Sequence, residues 1–498
     1  MTLYEQFQQK AAEIADLNGA LSLLSWDQET NMPRAGGALR ARQMATLSSI
    51  QHGLIVEDVM PLLKQLEQED NLSKNQRLNV IQCLRSVTKQ VRLPQQFVAD
   101  LASKTSESQQ VWEQAKRESN FKLFEKTLTE LVALKRQQAD YFGYDDCPYD
   151  ALLDIYEPGM TSAEVSPLFN QMRVKIQGIV TSLQEKRIDN SFLHKRVPHN
   201  PQWDFSLKLL EELGYNFEAG RQDVSTHPFS IALGTTDVRI TTRVDESNIT
   251  SMLYSTIHEC GHAMYEQGLP PTEYGLPGGE ACSLSIHESQ SRIWENNVAR
   301  SLPFWEHIFK DVSILFPDKL EHKTPTDAFK AVNKVEKSFI RIEADEATYL
   351  FHIMLRYEIE RNLINGDIEA AELPDIWNEK MKEYFGLTVT SDAQGVLQDI
   401  HWSLGLFGYF PTYALGSFYA AQFMHYAKQA IPDLDNQLKN GIFNGLRKWL
   451  AENIYRHGRL YNSNQLCKLA TGKPLDVSYF LAYIQEKLEK VYSIKLQM

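Results

Sequence analysis

Through roughly the first 190 residues, apolar side chains recur at intervals of three and four, the spacing that lines one face of an α-helix. Phe7, Ala11, Ile14, Leu17 and Leu21 follow it, as do Ile50, Leu54 and the leucines at 62, 63 and 66. Thr30-Asn31-Met32-Pro33 breaks the first run and Gly36-Gly37 follows, so a turn is expected between the first two helices. Thr161 with Glu164 makes a capping-box pattern that opens a helix through Phe169, Met172 and Ile176. The pattern changes once. Val238, Ile240, Thr242 and Val244 alternate with Asp237, Arg239, Thr241 and Arg243, which reads as a half-buried strand. Ser230-Ile231-Ala232-Leu233 is its hairpin partner across Gly234-Thr235-Thr236. Helical spacing then returns through Met252, Ile257 and Met264, and Gly268-Leu269-Pro270-Pro271 ends it. A second helix is expected from Cys282 or Ser283 through Ile286, Ile293, Trp294 and Val298, and a third from Thr326 to Tyr357. No repeat of 20 to 50 residues marks a solenoid.

Composition narrows the class. A chain of 498 residues with 43% hydrophobic content can bury a large core. A net charge of −13 argues against nucleic acid and anionic membranes as partners, since both need basic faces. The N-terminal Met1-Thr2-Leu3-Tyr4-Glu5-Gln6 has no signal-peptide character, and no run of 18 apolar residues exists to span a membrane. Five scattered cysteines without CxxC pairs suit a reducing compartment, so a cytoplasmic location is expected.

The chemistry concentrates at His258-Glu259-Cys260-Gly261-His262. Histidines four apart share a helical face, so both imidazoles reach one point above it. Glu259 projects beside that point, where a carboxylate can take a proton from attacking water. The bland alternative is a helix whose histidines only hydrogen-bond. Gly261 weighs against it, because a glycine inside a helix costs about 1 kcal/mol against alanine unless the backbone must stay bare. A catalytic zinc needs a third protein ligand. Glu273 and Glu280 fall in the glycine-rich loop, a poor base for a ligand. Glu288 and Glu295 share a face of the returning helix. Position in the first turns favours Glu288 modestly, and either can equally be solvated surface.

Four further groups are candidates. Arg341 and Asp345 stand i, i+4 apart, which permits a structural salt bridge; near a metal, the arginine would instead suit a substrate's terminal carboxylate. Gln398 or Asp399 can orient His401, and a histidine so held can stabilise an oxyanion; a hydrogen-bonded core histidine is the plainer reading. Tyr409 and Tyr413 are oxyanion donors or packed aromatics. The strand before the HExxH helix can offer its edge to an extended peptide, or be structural.

These segments together resemble the carboxypeptidase Taq family of zinc metallocarboxypeptidases. His227-Pro228-Phe229 matches its HPF motif, Asp237-Val238-Arg239-Ile240-Thr241 its DxRxT motif, and His287-Glu288-Ser289-Gln290 its HES/GQ motif. Ile340-Arg341-Ile342-Glu343-Ala344-Asp345 matches IRxxAD, and Gly395 to Trp402 matches GxxQDxHW. With HExxH, these six motifs run in family order from residue 227 to 402.

The resemblance implies one zinc per chain on His258, His262 and Glu288, with cobalt or manganese as possible substitutes. It raises Arg341 for the substrate carboxylate and places Asp237 and Arg239 on the substrate-binding side. It implies a single metallocarboxypeptidase unit over 1–498, with an N-terminal helical part (1–200) and a catalytic helical part (201–498). The fold it implies is mostly α. Two helical halves flank a deep groove, with a small antiparallel sheet at about 229–244, in outline like neurolysin and angiotensin-converting enzyme. The implied activity is release of C-terminal amino acids from peptides with a free C-terminus, with broad specificity and Glu259 as general base. A homodimer is also implied. Two rivals are an oligopeptidase cutting internal bonds and a structural metal site in a binding module.

Overall fold

The computed structural model describes residues 1–496. Helices dominate it, as the spacing predicted. Helix α1 (Leu3–Thr30) and α2 (Gly37–Gly53) are separated at the expected turn. Thr2 caps α1, accepting from the Glu5 amide while Glu5 accepts from its own. Helix α3 (Lys74–Val91) follows, and α4 (Ser162–Leu183) starts where Thr161 donates to the Glu164 carboxylate. Phe169, Met172 and Ile176 are buried along α4.

Internal contacts divide the chain into two compact units, each assembled from three stretches. One collects Met1–Thr88, Ile188–Val332 and Gly416–Asp476. The other collects Lys89–Arg187, Asn333–Leu415 and the segment from Val477 onward. Within the first, Tyr4, Phe7 and Ala11 of α1 are buried with Val59, Leu63, Leu66, Val80, Val87 and Leu276. Each large apolar side chain removed from water here contributes roughly 1.5–3 kcal/mol.

The strands β1 (Gln222–Val224), β2 (Ser230–Gly234) and β3 (Asp237–Thr242) form one sheet in the first unit, in the order β1-β3-β2. The hairpin is as predicted, with Ile231 opposite Arg239 across an antiparallel pair. The sheet is not purely antiparallel, however, because β1 runs parallel to β3. Three residues are too few to show a period of two, so β1 left no pattern in the sequence. Strand β3 is therefore central and has no free edge; β1 and β2, on either side of it, are each paired on one side only within this sheet. Val238 and Ile240 are fully buried. Thr241 accepts from the Phe229 amide and the Ser225 hydroxyl, so the DxRxT strand holds the HPF turn in place.

Helix α5 (Ile249–Gln267) leaves the sheet, capped by Asn248, which accepts from the Thr250 amide. The Thr242 hydroxyl lies 2.8 Å from that of Thr256, pinning helix to strand. Helix α6 (Leu284–Arg292) is capped by Ser283 and continues as a widened π-helical turn, Ile293–Ala299. The loop between them is anchored by Asn79 on α3. Its amide donates to Tyr4 and Glu273, and its carbonyl accepts from Gly278.

The continuous helix expected from Thr326 to Tyr357 does not form. Pro325–Val332 is helical, residues 333–348 form no α-helix and only one 3₁₀ turn, Arg341–Glu343, and α7 (Tyr349–Asn365) begins afresh. Asp345 accounts for the break. Its carboxylate accepts from the amides of Glu336, Ala347 and Thr348 and from the Thr348 hydroxyl, folding the chain back before α7. Helix α8 (Pro411–Ala430) comes next among the elements that matter here. No helix among the described residues is long and apolar enough to cross a membrane. All five cysteines are free thiols.

Candidate active site

Helix α5 carries His258, Glu259 and His262, and α6 carries Glu288. The Nε2 atoms of the histidines are 3.2 Å apart, and Glu288 Oε2 lies 3.8 Å from the first and 3.7 Å from the second. Ligands at about 2.0–2.1 Å around one tetrahedral ion stand roughly 3.3 Å from each other, so the three atoms fit a single divalent metal in spacing and donor type. This is the group of potential metal ligands found among the described residues.

Close helix contact makes the convergence possible. A Cβ on Gly261 would sit 2.6 Å from Ser291 Cα and 2.7 Å from the Gln290 carbonyl, both on α6. The bare position anticipated in HExxH is where the two helices touch. Gly416 of α8 does the same for Glu288, whose Cγ would lie 2.5 Å from an added Cβ.

Glu295, the competitor for third ligand, stands behind His258 instead, with Oε2 2.9 Å from Nδ1. Arg292 bonds both Glu288 (2.7 Å) and Glu295 (3.1 Å), and Arg300 reaches Glu295 at 3.2 Å. Burial opposes ionisation of Glu295, but Arg292, the His258 hydrogen bond and Arg300 hold it far below the usual carboxylate range. Burial also works against a charged His258, and there Glu288 and Glu295 outweigh it and carry its pKa upward. For His262, burial and the neighbouring His287 and His258 lower it strongly, so it is a neutral imidazole. Burial pushes Glu259 up to about 7, with Glu288 adding to the rise and His258 and a Ser230 hydrogen bond opposing it.

Asp237 and Arg239 also lie in this unit. They grip each other through two 2.8 Å bonds, and the guanidinium lies 4.6 Å from the Trp26 ring centre.

The other unit gathers Arg341, His401, Tyr409 and Tyr413. His401 Nε2 is 3.1 Å from the Tyr413 hydroxyl, and its ring lies 5.4 Å from that of Tyr409. Arg341 sits 5.1 Å over the Tyr413 ring. Arg341 is not bridged to Asp345. It donates to Asp399 at 2.9 Å and to the Tyr349 hydroxyl at 3.1 Å, while Gln398 accepts from its backbone amide. Asp399 and Gln398 thus orient Arg341 rather than His401. A second arginine, Arg356, fully buried, donates to the other oxygen of Asp399 at 2.6 Å. Sequence reasoning passed over Arg356, although it lies two turns along α7 on the face of Tyr349. Two guanidiniums outweigh burial at Asp399 and keep it ionised. Burial, then Arg341, lowers His401 to about 3. Glu360 was also missed. Fully buried, it accepts from Tyr149, the Trp402 indole and the Gly408 amide, and so ties down the loop bearing His401.

The sequence profile described as carboxypeptidase Taq (M32) metallopeptidase matches residues 6–488. The chain belongs to this family. The M32 chain is 39% identical to thermostable carboxypeptidase 1 of Thermus thermophilus, over 98% of each chain. It is 36% identical to carboxypeptidase 1 of Bacillus subtilis, over 99% of each. The crystal structure of the M32 carboxypeptidase from Deinococcus radiodurans superposes with a TM-score of 0.97 at 35% identity, covering 99% of this chain and 100% of that one. The M32 chain is accordingly a metallocarboxypeptidase, and its mostly helical fold with a small mixed sheet is that of the family.

Proposed function

We propose that this M32 enzyme removes C-terminal residues from peptides using zinc held by His258, His262 and Glu288, with broad specificity. The reading rests on one observation: two imidazoles and a carboxylate converge at 3.2 to 3.8 Å, with Glu259 buried one residue from the first. Zinc, when bound, would supply Lewis-acid polarisation of the scissile carbonyl and acidify a water at its open position. Glu259 takes the proton of the attacking water and passes it to the leaving amine. Its elevated pKa, about 7, suits a group that must both accept and release a proton near neutrality.

His401 is neutral at working pH, so one ring nitrogen donates and the other accepts. Nε2 faces Tyr413, and the buried Nδ1 has no partner among the described residues. His401, with Tyr409 or Tyr413 beside it, would stabilise a developing oxyanion. Arg341 suits the substrate's terminal carboxylate, since a guanidinium matches it in a bidentate fork. Asp237 and Arg239, which bond each other on β3, belong to the substrate-binding side in this reading, and the edge strand β2 would offer backbone pairing to an extended peptide. A cytoplasmic homodimer completes the reading, and five free thiols accord with that compartment.

The test uses two matched peptides, one with a free C-terminus and one amidated, followed by mass spectrometry. Stepwise shortening of the free peptide alone is expected. Internal cleavage of both would make the enzyme an oligopeptidase. In parallel, Glu259→Gln is expected to lower turnover by roughly 10²–10⁴-fold with zinc still bound; near-normal activity in that variant would remove Glu259 as the base.

A further inference from the structure

His287 begins the His287–Gln290 motif and is not one of the three converging metal-ligand candidates. Its ring lies 4.5 Å from that of His262, and the two Nδ1 atoms are 2.6 Å apart. Nitrogens this close share one proton, with one imidazole donating and the other accepting. The direction follows from what His262 does on its other side. Its Nε2 faces His258 Nε2 and Glu288 Oε2, and a nitrogen that gives its lone pair to a metal carries no proton. The His262 proton therefore sits on Nδ1 and is donated to His287. His287 in turn is bare at Nδ1 and protonated at Nε2, and that N–H lies 2.8 Å from Glu266 Oε1. Every donor and acceptor in the series has one assignment.

The sequence built this from a simple repeat. His258, His262 and Glu266 fall four apart, on one face of α5. His287 of α6 inserts between the last two. The two histidines are thus held by different devices: His258 directly by a carboxylate between two arginines, His262 through a neutral imidazole backed by Glu266.

We propose that His287 and Glu266 are positioning residues that fix the tautomer and ring orientation of His262 for metal binding. This rests on the reading of His262 as a ligand. Outer partners of metal-bound histidines are worth about 10–100-fold in metal affinity.

The experiment is chelator competition for zinc at one fixed pH, with helicity and melting temperature recorded for each metal-free protein. His262→Ala tests the ligand reading itself and is expected to lose zinc. His287→Phe removes the acceptor and is expected to bind zinc roughly 10–100-fold more weakly while its metal-free form stays folded. Glu266→Leu is expected to weaken binding as well, and Glu266→Gln, which keeps an oxygen acceptor, to restore it. The visible spectrum of the cobalt-loaded protein, which reports ligand geometry, is expected to shift in His287→Phe and to match the parent in Glu266→Gln. Binding within roughly twofold of the parent in both His287→Phe and Glu266→Leu would overturn the relay and leave the ligand reading standing. Parent-like binding in His262→Ala would overturn both. If His287→Phe does not fold, Glu266→Leu decides alone, because the Glu266 side chain is 21% exposed.

Discussion

Single residues here are governed by what burial does to charge. His352 is fully buried between Arg356 and the Phe385 ring, and burial followed by the Arg356 charge holds its pKa far below the ordinary histidine value. It is neutral in the folded protein, whereas in the unfolded chain it titrates near 6.5. Below that pH the unfolded state takes a proton the folded state refuses, so stability falls as pH drops, by about 1.4 kcal/mol per pH unit for each such histidine. Asp399 acts at a lower pH. Its folded pKa is depressed, so its contribution is present above the unfolded carboxylate value and is lost only in strong acid. Denatured at pH 5, His352→Gln is therefore expected to take up about one proton fewer than the parent, by potentiometry. Equal uptake would mean that His352 is already protonated in the fold. None of this was legible in the sequence, where His352 is one histidine among thirteen.

Elements were legible where their signals are local. The Thr161–Glu164 box, the turn at residues 30–37 and the 230–242 hairpin each depend on contacts within a few positions, and each formed. The predicted helix through 333–348 failed because its polar residues bond outside a helical ladder, Asp345 to nearby amides and Arg341 to Asp399, 58 positions away. Gly261 was legible as an oddity, and its cause is the second helix. Gly261→Ala gains up to about 1 kcal/mol of helix propensity but forces α5 from α6, for which overpacking costs about 1–3 kcal/mol. The variant is expected to melt lower and to bind zinc more weakly, as Glu288 withdraws from the histidines. A variant with parent-like zinc affinity would show that this contact does not set the ligand spacing.

At the scale of the whole molecule, metal and fold are expected to separate. The ligands stand on capped helices whose cores are buried independently of any ion, so chelation should silence hydrolysis while circular dichroism still reports a helical protein. Zinc at 100–1,000 times its Kd should then restore activity and add about 2.7–4.1 kcal/mol of stability. Unfolding on chelation would instead mark a structural metal. The chain's own order determined the helical class, the hairpin, the paired histidines with Glu259 between them, and the motifs that place it among M32 enzymes. All are carried by periodicity or by spacing within a turn or two. Tertiary structure alone decided that Glu288 joins the histidines while Glu295 backs one of them. It also decided that Asp399 serves two arginines and that His287 meets His262 across 25 positions. Spacing along a helix says which side chains share a face. Which neighbour that face meets depends on how helices far apart in the chain pack, and that is settled by burial and close contact rather than by any local pattern.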